Sequence, residues 1–517
     1  MVIKIKKKEK KMLLTLLSLL AIPVGYYLYI ELTAYYKVFR YKRQGIKHTQ
    51  YYTMPGFFLK MTSNLKLDDT FIENKKKAQE QDPNQPFRVM NFGTSIFVSL
   101  ISEKAVKEFY TQETKVTIKR TPFGKMKIFG FLFENGKEAQ EKRAIFAKIF
   151  HYSNVLNLMP NIRKVIQLHV NQLKKRAEAE GGQIKIDLKK EFSRAVMDDL
   201  SACILLGGTE NKMTENFEGM NVTQLIQKMV MSLNKSQTNP LNWIPFMTAL
   251  GLNREKNEAE RLKNGLTEIV RNEYNKRYNK EELDDKSVLD ITVKLNKESE
   301  KETGNPKFSV EEIASNFELF QFAASDTSFH LSSTTMTFLA LPENQKYQKG
   351  IQAQVDSELG SNDSYSNEKL NSLKELDNVF REAARLANPA SAISRFVTKD
   401  FKLDGFTVYK GDNIINELVN FEPGVFNDPL KFNPDRFNPD SPSFKKAPKL
   451  KEIPFSHGQR ACLGKYLGEM VVKLILVELL REFEVSVEPG YAMKLGPQPL
   501  YTVLNPNLCM KIREKQE

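Results

Sequence analysis

Residues 454–464 read Pro454-Phe455-Ser456-His457-Gly458-Gln459-Arg460-Ala461-Cys462-Leu463-Gly464. The segment fits the pattern F-x-x-G-x-R-x-C-x-G. Its glycines let the backbone turn tightly and aim N–H groups at a nearby acceptor. A helix-periodic apolar run, 463–482, follows at once,. A helix starting at Leu463 points its positive end at Cys462, which favours thiolate over thiol. A lone cysteine at a helix start is usually a buried structural residue. The matched aromatic, glycine, arginine and cysteine positions make that bland reading the weaker one here.

Three other stretches carry comparable patterns. Glu382-Ala383-Ala384-Arg385 fits E-x-x-R, with Glu and Arg on one helix face,. Alone such a pair is weak, since most are solvated surface pairs. Pro434-Asp435-Arg436-Phe437 fits P-x-R-F and stands shortly before the cysteine segment. Upstream, the pattern predicts a long helix around 308–340. Ser309 and Glu312 have capping-box spacing, Ile313, Phe317, Phe320, Ala324 and Thr327 mark one face, and Pro342 stops it,. Within it lies Ala323-Ala324-Ser325-Asp326-Thr327-Ser328. A mid-helix threonine can simply bond its own backbone carbonyl.

Taken together these motifs resemble the cytochrome P-450 family of haem-thiolate monooxygenases, over roughly residues 50–510. The resemblance is specific in the C-terminal third and loose before residue 300. It implies a mainly α fold with a minor antiparallel β portion, in one domain with an N-terminal transmembrane anchor. It implies haem b with Cys462 as axial iron ligand, shielded by Phe455, with Gly458 and Gly464 shaping the loop and Arg460 pairing with a propionate. Arg395 and Arg143 are further propionate candidates. Arg143 stands in Gly136-Lys137-Glu138-Ala139-Gln140-Glu141-Lys142-Arg143, where Ala139 replaces the family tryptophan. Arg120 is a weaker candidate. Glu382, Arg385 and Arg436 are expected to form a buried structural network. Asp326 and Thr327 would be catalytic, Thr327 holding bound oxygen and a water, Asp326 supplying protons. Ala324 for Gly and Ser328 for Thr are mild departures from the family's A-G-x-D-T-T.

The implied activity inserts one oxygen atom from O2 into an apolar small molecule of fatty acid, sterol or xenobiotic class. NADPH-derived electrons would arrive through a separate flavoprotein reductase, because the chain has no G-x-G-x-x-G or flavin module. Lys445, Lys446, Lys449 and Lys451, with Lys137, Lys142 and Lys148, could form a basic docking face for it,. Two other readings are a haem-thiolate isomerase or dehydratase acting on a hydroperoxide, and a non-catalytic membrane haem protein. Retention of Asp326 and Thr327 argues against the former.

Composition bounds the rest. The chain has 517 residues, 41% hydrophobic and 27% charged, which excludes disorder and a polytopic membrane protein,. Lys and Arg outnumber Asp and Glu 77 to 63, so anionic partners are favoured,. No nucleic-acid module accompanies that charge. Cys203, Cys462 and Cys509 are too few and too far apart for a disulfide framework or a cysteine-rich zinc site,.

At the N-terminus six lysines precede an uncharged run, Met12–Ile30, followed by a tyrosine cluster. Such a run nearly matches a bilayer core, and no small-residue cleavage site follows it, so an uncleaved anchor is expected over a signal peptide. Lys37, Arg40, Lys42, Arg43 and Lys47 balance the first lysines, leaving orientation open on charge alone,. The expected organisation is a basic N-terminus and transmembrane anchor over 1–36, a basic linker over 37–56 and a haem-binding domain over 57–517. The resemblance to membrane-anchored members implies the endoplasmic reticulum, with the catalytic domain facing the cytosol. The single tryptophan, Trp243, stands in an apolar stretch, 241–247, that could dip into a membrane or pack internally,.

Overall fold

A computed structural model describes residues 2–47, 49–53, 85–120, 129–193, 196, 199–200, 204–205, 217–220, 222–238, 250–280, 283, 287–360, 365–418, 428–444, 454–497 and 500–514. The helices named below are α1 (Val2–Arg43), α2 (Glu103–Val116), α3 (Gly136–Ile149), α4 (Tyr152–Ala179), α5 (Val222–Thr238), α6 (Arg254–Tyr278), α7 (Val288–Thr303), α8 (Val310–Ala340), α9 (Gln345–Gln354), α10 (Asn367–Ser372), α11 (Lys374–Leu386) and α12 (Lys465–Glu482). The expected dominance of helix therefore holds.

Helix α8 is the axis of the molecule. It begins at the anticipated capping box, with the Ser309 hydroxyl accepting from Glu312 N–H and the Glu312 carboxylate accepting from Ser309 N–H. It ends just before Pro342. It is buried on nearly every side, because α4, α6, α11 and α12 share one apolar cluster with it. A helix so enclosed loses the narrow apolar stripe of a surface helix.

The β portion departs from the expectation of a purely antiparallel one. The largest sheet joins β1 (Thr49–Gln50), β2 (Phe87–Phe92), β3 (Ser95–Leu100), β9 (Asn413–Glu417), β6 (Ala392–Val397) and β4 (Thr117–Ile118), in that order, while β5 (Gln183–Asp187) lies in a separate three-stranded sheet. Within it β1 and β2 pair parallel, and so do β3 and β9. The reason is topological: β3 and β9 are separated by most of the helical body, so no hairpin dictates their direction. Near residue 400, β7 (Phe401–Leu403) and β8 (Phe406–Val408) form a hairpin, antiparallel across Asp404-Gly405. A second apolar cluster, with Phe87, Val98, Phe109 and Ile414, unites this sheet with α2 and the end of α1.

Helix α1 covers the N-terminal segment. It runs through residue 36 without a break, and its far end packs on the sheet through Val38 and Tyr41. Tyr41 donates to the buried carboxylate of Asp412 at 2.6 Å, and Lys37 donates to Thr94 O at 2.8 Å. Among the described residues no helix is long and apolar enough to cross a membrane, so the expected transmembrane anchor is not supported there. The side chains of residues 2–20, 22 and 23, which hold most of the uncharged run, lie outside the described set. So do Cys203, Trp243 and the lysines at 445–451.

Candidate functional site

The cysteine loop enters from the irregular segment after β9 and ends at Gly464, the N-cap of α12. Helix α12 thus starts two residues later than expected. Cys462 N–H donates to Phe455 O at 2.9 Å, and Ala461 N–H to Gly458 O at 3.1 Å, closing a tight double turn. Gly458 has φ +76° and Ser456 φ +62°, so two residues of the loop adopt left-handed backbone. Glycine takes that conformation freely; serine does so at a cost.

Cys462 is exposed to a cavity of about 200 Å³. Phe455, Arg460 and Gly464 line the same cavity, with Ala323, Ala324, Thr327 and Ser328 of α8 and Arg143 of α3. Small residues on α8 keep that wall flat. So does Gly468 of α12, whose Cβ would stand 3.7 Å from Phe455 and 3.9 Å from Ser328 Oγ. Burial pushes the Cys462 thiol up. The Gly464 N–H donated to it, and the charges of Arg143 and Lys119, pull the other way. In the protein chain by itself desolvation is the largest of these influences,.

On α8 the two expected catalytic residues part company. Thr327 lines the cavity and donates to Ala323 O at 2.6 Å. Asp326 is not among the lining residues. With Thr327 and Ser328 both on the cavity side, the turn of about 100° per residue carries Asp326 round to a face away from it,.

A second, polar cavity of about 60 Å³ adjoins the first and shares Lys119 and Arg460 with it. Arg395 lines this second cavity and not the first. Lys119 is pushed down to about 7, first by burial and then by Arg395, Arg460 and Arg143. Burial and the neighbouring Arg460 also hold Arg143 below its ordinary value. Arg120, the sequence candidate, instead lays its guanidinium over the Phe396 ring at 3.0 Å. Sequence reading missed Lys119 because the two cations are adjacent and only the course of the chain beyond β4 decides which one turns inward.

Behind the loop, Glu382 is fully buried. Arg385 binds it in a fork at 2.7 and 2.8 Å, and Arg436 Nε donates to it at 3.3 Å. The two arginines also reach the carbonyls of Pro429 and Asp428. Their hydrogen bonds tie the segment around the 3-10 turn Pro434–Phe437 to α11.

The family-level comparison decides what this arrangement is. The family model described as cytochrome P-450 matches residues 56–511. The chain belongs to the cytochrome P-450 family. A sterol 14alpha-demethylase of Mycolicibacterium vanbaalenii is 27% identical over 324 residues, 61% of this chain and 66% of that one. The cytochrome P-450 CYP72A219 of Panax ginseng is 25% identical over 386 residues, 72% of this chain and 71% of that one. The chain thus spans about two-thirds of these relatives' length. The solved structure of retinoic acid bound cyanobacterial CYP120A1 superposes with TM-score 0.67 at 20% identity, covering 85% of this chain and 93% of that one. That likeness bears on the fold.

The residues present fit the P-450 cofactor. One cavity wall offers a soft sulfur donor, and the facing α8 wall is small and flat. Lys119, Arg143, Arg395 and Arg460 gather beside a single acid, Glu113, among the residues described as lining the two cavities. That positive excess suits the two propionates of a haem.

Proposed function

We propose that this P-450 chain is a haem-thiolate monooxygenase that inserts one oxygen atom from O2 into an apolar small molecule of fatty acid, sterol or xenobiotic class. The observation that carries the reading is one cavity with the Cys462 sulfur on one wall and the Thr327 hydroxyl on the other. When bound, haem iron ligated by a thiolate supplies the electron push that favours O–O cleavage. Cys462 would be its ligand, with Arg143, Arg395, Arg460 and Lys119 at the propionates. Phe455 shields the sulfur from water, and Gly458 and Gly464 keep the loop in shape. Thr327, already donating to Ala323 O, has lone pairs left to hold a water at the cavity,. Asp326 would feed protons from the next helix face. Glu382, Arg385 and Arg436 hold the chain behind the loop.

The apolar lining, with Phe131, Phe320, Leu200 and Val471, favours an apolar substrate,. Electrons would come from NADPH through a flavoprotein reductase. Of the lysines considered for its docking, Lys142 is buried and bound to Glu134 and Glu312, which removes it from any docking face. Lys446 and Lys449 are the better test: reversal to Glu lowers reductase-supported turnover while peroxide-supported turnover persists. The run Met12–Ile30 is proposed as a membrane anchor, placing the enzyme on the endoplasmic reticulum with the domain 57–517 toward the cytosol. Alkaline carbonate extraction checks this: the full chain stays with membranes, and a chain lacking residues 1–30 is released in larger part.

The carbon monoxide difference spectrum of the reduced protein tests the central claim. A strongly red-shifted Soret band is expected and is lost in Cys462→Ser; an unshifted band in the native protein refutes it. Thr327→Ala is expected to uncouple oxygen use from product and release peroxide. A hydroperoxide isomerase would lose nothing on that change.

A further inference from the structure

Helix α2 carries no sequence motif, yet it braces the cysteine loop. The Tyr110 hydroxyl lies 3.0 Å from Ser456 Oγ and accepts from Asn416 at 2.8 Å, and the ring meets His457 edge-on at 5.7 Å. Three residues along, Glu113 is 1% exposed. Its Oε1 accepts from Arg395 Nε at 2.5 Å. Its Oε2 is buried with no hydrogen-bond partner among the described residues. A Cβ on Gly458 would stand 3.9 Å from that oxygen.

A buried carboxylate with one oxygen unpaired carries a desolvation penalty that no hydrogen bond repays. Something must offset this. Glu113 lines the polar cavity with Lys119, Arg395 and Arg460, and its charge also acts on Arg143. It is the acid facing those cations among the lining residues. Its charge therefore partly cancels theirs at the edge where the propionates would sit. In a low-dielectric interior such a charge acts over several ångströms.

We propose that Glu113 is a positioning residue that fixes Arg395 at the propionate edge and, through its charge, holds down the reduction potential of the bound iron. Reduction adds one negative charge to the cofactor. Removing the Glu113 charge leaves the cations less compensated and makes electron uptake easier. The inference rests on the haem-thiolate reading. The two fail differently, because loss of that reading abolishes the red-shifted carbon monoxide band in the native chain, whereas failure of this one leaves the band in place.

The test is a spectroelectrochemical titration of the full-length haem protein, native and with Glu113→Gln, Glu113→Asp or Tyr110→Phe. In Glu113→Gln the ferrous-to-ferric ratio at a fixed potential is expected to rise about tenfold, equivalent to about 59 mV for one electron. Glu113→Asp, which retracts the carboxylate by one methylene, is expected to move the same way by less. Tyr110→Phe alters the brace without altering charge and is expected to leave the midpoint alone. A native midpoint in Glu113→Gln overturns the proposal. If that variant fails to hold haem, an unshifted Glu113→Asp overturns it. A Tyr110→Phe rise equal to that of Glu113→Gln overturns it too, since packing would then explain both.

Discussion

Glu318 shows how much a single buried group can decide. It sits on α8 at 1% exposure, with Oε1 lacking a hydrogen-bond partner among the described residues. Burial pushes its carboxyl up to about 8, against the pull of Lys263 and the Phe129 N–H. In the unfolded chain it ionises near its ordinary value of 4.5. Between those values the unfolded state gives up a proton that the folded state keeps. Stability therefore falls as pH rises through that window and levels off above it. Glu318→Gln removes this slope. Denaturant unfolding at pH 5 and pH 8 should show native protein losing stability relative to the variant as pH rises; parallel losses would refute the assignment. Nothing in the sequence marked Glu318. Its carboxyl looks like any other on a helix until α8 is enclosed.

At the scale of elements, α8 and α11 were legible to different depths. The capping box, the periodic face and Pro342 gave both ends of α8 from local rules,. Ser309→Ala is expected to cost about 1 kcal/mol, read as a shift in the unfolding midpoint. The Glu382–Arg385 pair was visible as a spacing, but a spacing cannot tell a solvated pair from a buried one. Burial comes from α12 and from the segment at Pro434–Phe437 packing over it. Glu382→Ala leaves two buried guanidinium groups without their carboxylate. A loss of about 3–5 kcal/mol follows, with release of haem on mild heating as the readout. Retention of native Tm would contradict a buried network. Asp326 and Thr327 make the same point in reverse. The motif names both, and only helical geometry separates the one at the cavity from its neighbour.

The whole molecule adds contacts between parts that share no pattern. The end of α1 belongs to the sheet cluster through Val38 and Tyr41, with Ile46 just beyond it, while residues 24–29 are exposed. A chain lacking residues 1–30 is therefore expected to keep its Tm and its carbon monoxide spectrum. A chain lacking residues 1–47 also loses the buried side chains of Val38, Tyr41 and Ile46, each worth about 1.5–3 kcal/mol, together with the Tyr41 bond to Asp412,. Equal stability of the two truncations would refute the docking of α1. The sequence by itself determined the family, the cysteine loop that carries the proposed sulfur ligand and the ends of the long helix, because those rest on short-range spacing that the backbone obeys locally. Only the tertiary structure decided which cations face the polar cavity beside Cys462, that Arg120 lies over Phe396 while Lys119 lines that cavity, and that Glu113 stands among them. Those are questions of which side chains lose water together, and residues 113, 143, 395 and 460 meet only after the sheet and helices have packed.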